Sequence, residues 1–241
     1  MMTKLTFKTK IYSDGADLED MKAINQNDFV TGFTTNPSLL KKAGVTDYLT
    51  FAKEAVATFP DEAISFEVFS NDYDTMLKEA KMLHDLGPHV YVKIPIRTTS
   101  GEPTTNLIHD LTADGVKVNV TAIATVGQVK ESVDAIVPGT PSIVSIFVGR
   151  VADAGIDPIP FVKDSVALTK DRSEVELLWA STREVYSIMQ AEQYGVDIIT
   201  VPPTIIDKLV AKAGQTGDDI TMNTVKGFAA DIKATGLKIL G

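Results

Sequence analysis

Short apolar runs alternate with longer amphipathic stretches along the whole chain, and no Pro/Ser-rich linker or low-complexity block interrupts them. Eight runs have the length and flanks of strands: KIYSD (10–14), VTGFT (30–34), ISFEVFS (64–70), HVYVKIP (89–95), VKVNVTA (116–122), SIVSIFV (142–148), VELLWAS (175–181) and DIITVP (197–202). The stretches between them carry helical spacing; in DYDTMLKEAKMLHDLG, Met76, Leu77, Ala80, Leu83 and Leu86 line one face ahead of the terminating Gly87. Strand ends run from Asp14 to Val201, about one every 27 residues, the length of a βα unit. Eight such units in 241 residues predict an α/β fold, a (β/α)8 TIM barrel formed as one domain over residues 1–241, in preference to a doubly wound sheet. A last apolar-periodic stretch, TMNTVKGFAADIKATGLKIL (221–240), predicts a C-terminal helix.

The pattern inside the strands says more than their number. A barrel strand buried on both faces reads as almost wholly apolar, yet several of these alternate. Val116, Val118 and Val120 share one face, and Lys117, Asn119 and Thr121 the other. Ile64, Phe66 and Val68 oppose Ser65, Glu67 and Phe69, and Val90, Val92 and Ile94 oppose His89, Tyr91 and Lys93. If the apolar faces meet the helices, Glu67, Lys93, Asn119 and Thr121 point into the barrel near the C-terminal strand ends, where barrel enzymes assemble their sites. Asp14 ends the first strand in the same way. A half-exposed antiparallel sheet would alternate similarly, but the intervening helical stretches speak against it.

Composition narrows the chemistry. With 44% hydrophobic and 23% charged residues the chain is neither disordered nor collagenous nor a coiled coil. A net charge of -9, from 32 acidic and 23 basic residues, opposes nucleic acid and anionic membranes as partners, while small anionic ligands stay possible at a locally basic site. Cysteine is absent, which excludes disulfides, thiolate nucleophiles and thiolate zinc sites. The three histidines, His84, His89 and His109, are too scattered for a metal site, so no metal is expected. The N-terminal MMTKLTFKTK lacks the apolar core of a secretory signal, and no apolar run reaches the roughly 18 residues of a membrane span, so a cytoplasmic location is expected.

Lys93 is the residue to explain. An ammonium inside a barrel is costly unless it is paired or its pKa falls, and a lysine of depressed pKa attacks carbonyl carbons. An ion pair with Glu67 or Asp14 and a Schiff-base role predict the same neighbours, because carboxylates beside such a lysine serve as general acid and base. Phosphate handling has no Walker loop or dinucleotide fingerprint to use. Arg150 and Arg183 follow the sixth and seventh strands, which puts two guanidinium forks on the C-terminal rim. Ser181 to Glu184, STRE, reads as a capping box opening a helix there. In TTNP (34–37), Asn36 precedes a helix starting at Pro37, with its amide free to reach the site. GEPTTN (101–106) reads as a turn and helix start, Trp179 as core, and KDRSEVE (170–176) as solvated surface.

TGFTTNPSLL, YVKIPIRTTSGE, VNVTAI, SIFVGRVADAG and WASTREVYSIMQAEQYGVDIITVPP, in this order and with YSDGAD at the first strand, resemble the transaldolases as far as the eighth strand. The resemblance implies a (β/α)8 barrel that moves a dihydroxyacetone unit from a ketose phosphate to an aldose phosphate through a Schiff base, without metal or organic cofactor. It implies Lys93 as the Schiff-base lysine, Asp14 as the acid/base at the sugar C4 hydroxyl, Glu67 as the carboxylate working through a water, and Thr121 as the residue positioning that water. Asn36 and Asn119 match amides that hold the dihydroxyacetone hydroxyls. Ser145 lines the same pocket, Thr35 and Phe147 belong with the substrate-binding residues, and Arg150 and Arg183 match a phosphate clamp with Ser181 beside it. The chain has the compact length shared with fructose-6-phosphate aldolases, which release dihydroxyacetone; there the positions of Glu67 and Phe147 are typically glutamine and tyrosine. STRE replaces the more familiar SFR, so Thr182 leaves the fine shape of the phosphate pocket open while Arg183 remains in register. Sugar phosphates are the implied partners, with no nucleic acid and no membrane. A homo-oligomer fits the sequence as well as a monomer does, and a non-catalytic sugar-phosphate-binding barrel is the remaining alternative.

Overall fold

The computed structural model describes residues 5–239, which leaves out residues 1–4 of the N-terminal stretch and Leu240 of the last helical one. Eight parallel strands, β1 (Lys10–Asp14), β2 (Val30–Thr34), β3 (Ala63–Glu67), β4 (Val90–Pro95), β5 (Val118–Ile123), β6 (Ser142–Ile146), β7 (Val175–Trp179) and β8 (Ile198–Val201), pair in sequential order, and β8 returns to β1 to close a barrel. The helices are α1 (Leu18–Ile24), α2 (Pro37–Lys42), α3 (Tyr48–Thr58), α4 (Tyr73–His84), α5 (Thr105–Ala113), α6 (Val126–Ala135), α7 (Val148–Asp153), α8 (Pro158–Thr169), α9 (Tyr186–Tyr194), α10 (Pro203–Lys212) and α11 (Gly217–Thr235).

The apolar strand faces do turn outward under the helices: Phe66, Val92, Val118 and Val120 are wholly buried in the main hydrophobic cluster. Helix α4 answers with Met76, Ala80 and Leu83, and Asp72 caps its start by accepting a hydrogen bond from the Thr75 amide. A separate cluster of Tyr12, Ile143, Leu178 and Ile198 fills the inside of the barrel. Gly32 makes room for it. A Cβ there would stand 2.7 Å from the Tyr12 ring and 2.8 Å from the Ala63 carbonyl oxygen. The barrel is therefore plugged at mid-height, and its two ends are separate environments.

Two expectations need correction. The run KDRSEVE is not simply solvated: Arg172 donates to Glu174 at 2.6 Å and to the Val133 and Ile136 carbonyls at 2.9 and 2.7 Å, tying the end of α6 to the start of β7. STRE forms no capping box, since α9 begins only at Tyr186 and its N-cap residue, Val185, makes no side-chain cap. Ser181 sits in the left-handed region at φ 65°, away from the extended conformation that a capping serine needs.

A C-terminal helix forms as its periodicity predicts, but it starts earlier, at Gly217, and stops at Thr235 before the left-handed Gly236, and it buries no residue. Ile220, Val225, Phe228 and Ile232 stay more than half exposed, so among the described residues nothing covers its apolar face.

Candidate active site

Register brings the polar interior residues into one layer. On β3, β4 and β5, Glu67 lies opposite Lys93 and Lys93 opposite Asn119, while Pro95 lies opposite Thr121. Across the barrel Asp14 pairs with Thr34 of β2. These side chains open into a cavity of about 440 Å³ at the C-terminal end, which Asn36, Ser145, Phe147, Arg150, Ser181 and Arg183 also line.

Lys93 is the buried cation of this layer, 6% exposed. Its Nζ donates to the Thr35 carbonyl at 2.6 Å and stands 3.1 Å from Glu67 Oε2. The ammonium is thus paired, and the proton that must leave before the nitrogen can attack a carbonyl already faces an acceptor. Burial pushes the Asp14 carboxyl above the ordinary range, against the opposing pull of the Lys93 charge and of a hydrogen bond from Thr34. A carboxyl raised in this way is closer to the proton affinity a general base needs near neutral pH.

Asn119 is fully buried, and its amide is held at both ends: Nδ2 donates to Ser65 Oγ at 3.0 Å, and Oδ1 accepts from Ser145 Oγ at 2.6 Å. One Nδ2 hydrogen remains for a ligand hydroxyl. Asn36 caps α2, its Oδ1 accepting from the Leu39 amide at 3.0 Å, which leaves its amino group for the cavity. The helix starts at Pro37, as the sequence predicts.

On the rim Arg150 makes no ion pair among the described residues; its guanidinium lies 5.2 Å from the centroid of the Phe147 ring. Arg183 is held by Asp153, with Nη2 to Oδ2 at 2.6 Å, and both side chains are about half exposed. An exposed pair of this kind contributes about 0–1 kcal/mol, so a phosphate can replace Asp153 at little cost. Gly149 lets the start of α7, which carries Arg150, touch the loop that carries Arg183, because a Cβ there would stand 1.7 Å from the Ser181 carbonyl oxygen. Ala122, beside Thr121, is the other non-glycine residue at positive φ among the described residues, at 64°. Both left-handed residues lie in the cavity wall.

Of the residues singled out from sequence for the site, Thr35 and Thr182 lie outside the cavity wall, Thr182 turned to the Thr200 carbonyl instead of the phosphate pocket. The Thr35 side chain is fully buried and donates to the Ser65 carbonyl at 2.9 Å, so Thr35 meets the site through its backbone, at Lys93. Its neighbour Thr34 faces the cavity instead. Ser65 shares the polar face of β3 with Glu67, whereas neither VTGFT nor IITV alternates, so the sequence pattern does not mark Thr34 or Thr200. Tyr48 of α3 carries no such signal. Its hydroxyl accepts from the Glu67 amide at 2.8 Å and donates to the Glu67 carbonyl at 3.0 Å, clamping the end of β3. Among the described residues no group of three or more acidic or histidine side chains is arranged to hold a metal ion, and no helix is long and apolar enough to cross a membrane.

Residues 11–239 match the family model described as Transaldolase/Fructose-6-phosphate aldolase. The chain is 33% identical to a "Probable transaldolase" of Ruegeria sp. (strain TM1040), over 96% of this chain and all of that one. It is 34% identical to a "Probable transaldolase" of Methanococcus maripaludis (strain C7 / ATCC BAA-1331), over 93% of this chain and 98% of that one. Among solved structures, a putative fructose-1,6-biphosphate aldolase from Coccidioides immitis superposes with a TM-score of 0.59 at 12% identity, covering 88% of this chain and 82% of that one. A putative phosphonomutase from Burkholderia cenocepacia J2315 does so with a TM-score of 0.56 at 13% identity, covering 94% of each. The solved structures share the fold; the family model and the sequence relatives carry the kinship, and the chain belongs to the transaldolase/fructose-6-phosphate aldolase family.

Proposed function

We propose that the protein is a transaldolase, transferring a dihydroxyacetone unit from fructose 6-phosphate or sedoheptulose 7-phosphate to erythrose 4-phosphate or glyceraldehyde 3-phosphate through a Schiff base on Lys93. The observation that carries this reading is the buried Lys93, 3.1 Å from Glu67 and within the field of Asp14, at the foot of a rim bearing two arginines. Lys93 Nζ passes its proton to a neighbouring carboxylate and attacks C2 of the ketose. Glu67, through a water that Thr121 positions, supplies the proton with which the carbinolamine loses hydroxide as water, leaving the iminium. Asp14 takes the proton of the C4 hydroxyl while the C3–C4 bond breaks. The bonding pair flows into the iminium to give an enamine, and the aldose phosphate departs. The enamine attacks the aldehyde of the acceptor, Asp14 returns the proton to the new C4 oxygen, and hydrolysis of the iminium frees the new ketose and Lys93. Asn36 and Asn119 hold the dihydroxyacetone hydroxyls, Ser145 lines the same wall, and Arg150 with Arg183 grips the phosphate.

Glu67 and Phe147, where the aldolase branch typically has glutamine and tyrosine, favour transfer over release. The test is glyceraldehyde 3-phosphate formation from fructose 6-phosphate, followed through a coupled dehydrogenase. Sustained formation only with erythrose 4-phosphate is expected. Sustained formation without it would make the enzyme an aldolase, and silence in both assays would leave a sugar-phosphate-binding barrel.

A further inference from the structure

Thr200 lies in β8, in the otherwise apolar run IITV, largely buried and at the wall of the C-terminal cavity. Its Oγ1 lies 2.5 Å from Thr34 Oγ1, and Thr34 donates in turn to Asp14 Oδ1 at 3.1 Å. We infer that Thr200 is a positioning residue for Asp14, terminating a hydroxyl chain from β8 through Thr34 of β2 that orients the Asp14 carboxylate and favours its ionised form. The inference rests on the reading of Asp14 as the acid/base group.

Proton counting sets the direction of the chain. An ionised carboxylate only accepts, and each threonine hydroxyl has one proton to give. While Asp14 is charged, Thr34 must donate to it and Thr200 must donate to Thr34. When Asp14 takes up a proton it becomes a donor, and the two hydroxyls are free to turn the other way without any heavy atom moving. Hydrogen bonds in series polarise one another, so the second hydroxyl strengthens the first. Thr182 Oγ1 donates to the Thr200 carbonyl at 2.8 Å and anchors the far end. That is a use for the residue that sets STRE apart from SFR. The charged group that faces Asp14 is Lys93 of β4, itself in contact with Glu67 of β3, whereas β2 and β8 present hydroxyls.

Thr200→Val removes the terminal donor at almost constant volume, and Thr200→Ser keeps it. With fructose 6-phosphate and erythrose 4-phosphate, Thr200→Val should move the acid limb of the kcat profile to higher pH and lower kcat below that limb by about fivefold to tenfold, the equivalent of one hydrogen bond between neutral groups. KM and borohydride trapping on Lys93 should be unchanged, and Thr200→Ser should restore the limb. Should the valine variant not fold, Thr200→Ala takes its place. An unmoved limb, or a serine variant as impaired as the valine one, overturns the inference. Titration of the Asp14 carboxyl by carbon-13 NMR, assigned with Asp14→Asn, reads the same chain without activity. A shift to higher pH in Thr200→Val upholds it even if the wild type proves not to be a transaldolase. No shift in an active enzyme refutes it while leaving the transaldolase reading intact.

Discussion

Two cavities, one at each end of the barrel, differ less in size than in what their charges are doing. The one at the N-terminal end, about 560 Å³, is rich in charged side chains. There Lys10 meets Glu176 at 2.6 Å, Arg172 meets Glu174 at 2.6 Å, and Asp197 accepts from the Leu177 amide at 2.8 Å. Those groups are occupied in holding strand and helix ends. At the C-terminal end a lysine, two carboxylates and two arginines surround about 440 Å³, and Arg150 is unpaired among the described residues while Arg183 is tied only by an exposed, exchangeable contact. The difference teaches that a site is marked by groups whose bonding is incomplete or replaceable around a buried, paired lysine, and not by volume or by the number of charges.

The sharpest way to break the comparison is to remove one lysine from each end. Lys93→Met should lower turnover by about a thousandfold or more, the scale on which a catalytic group acts, and Lys10→Met should stay within about twofold of wild type, as an exposed pair implies. Steady-state kinetics on both variants checks this, and comparable losses would dissolve the distinction between the ends. Next in size is the rim. Arg183→Ala should raise KM for phosphorylated sugars about tenfold or more, the worth of a hydrogen bond between charged groups, and leave free dihydroxyacetone and glyceraldehyde nearly unaffected. Asp153→Ala, which releases Arg183, should leave KM unchanged or lower it. Equal effects of Arg183→Ala on both substrate classes would remove the phosphate clamp from the account.

The smallest effect is on stability. Because burial raises the Asp14 carboxyl above its value of 3.8 in the unfolded chain, the folded protein binds that proton more tightly. Stability from this group is therefore present at low pH and falls as pH climbs from the unfolded pKa through the folded one. Asp14→Asn should melt a few degrees higher than wild type near pH 7, with the gap closing below about pH 4. A lower melting temperature at pH 7 would mean that attraction to Lys93 outweighs burial.

Much of this was legible in strand alternation. Polar residues at every second position of β3, β4 and β5 identified Glu67, Lys93 and Asn119 as inward-facing, and the parallel register sets them side by side. The same rule marks Ser65 but not Thr200, a lone hydroxyl in the apolar run IITV, and the partners of both become visible only when strands distant in sequence lie next to each other. Alternation also separates Thr34 from Thr35, one facing the cavity and the other the barrel wall. What pattern did not reveal is local geometry with no periodic signature: the left-handed Ser181 that prevents a capping box, the Tyr48 hydroxyl that reaches from α3 to clamp β3, and Arg172 spanning two elements. Periodicity likewise announced α11 without naming what it packs against, because an apolar stripe records a need for burial and not the partner that meets it.

The claim on which the account turns is that Lys93 forms the covalent intermediate. The direct measurement is borohydride reduction of the enzyme turning over fructose 6-phosphate, followed by peptide mapping of the adduct. The account predicts a single three-carbon adduct, on Lys93, absent from Lys93→Met. An adduct on another lysine, or one that persists in that variant, would contradict it.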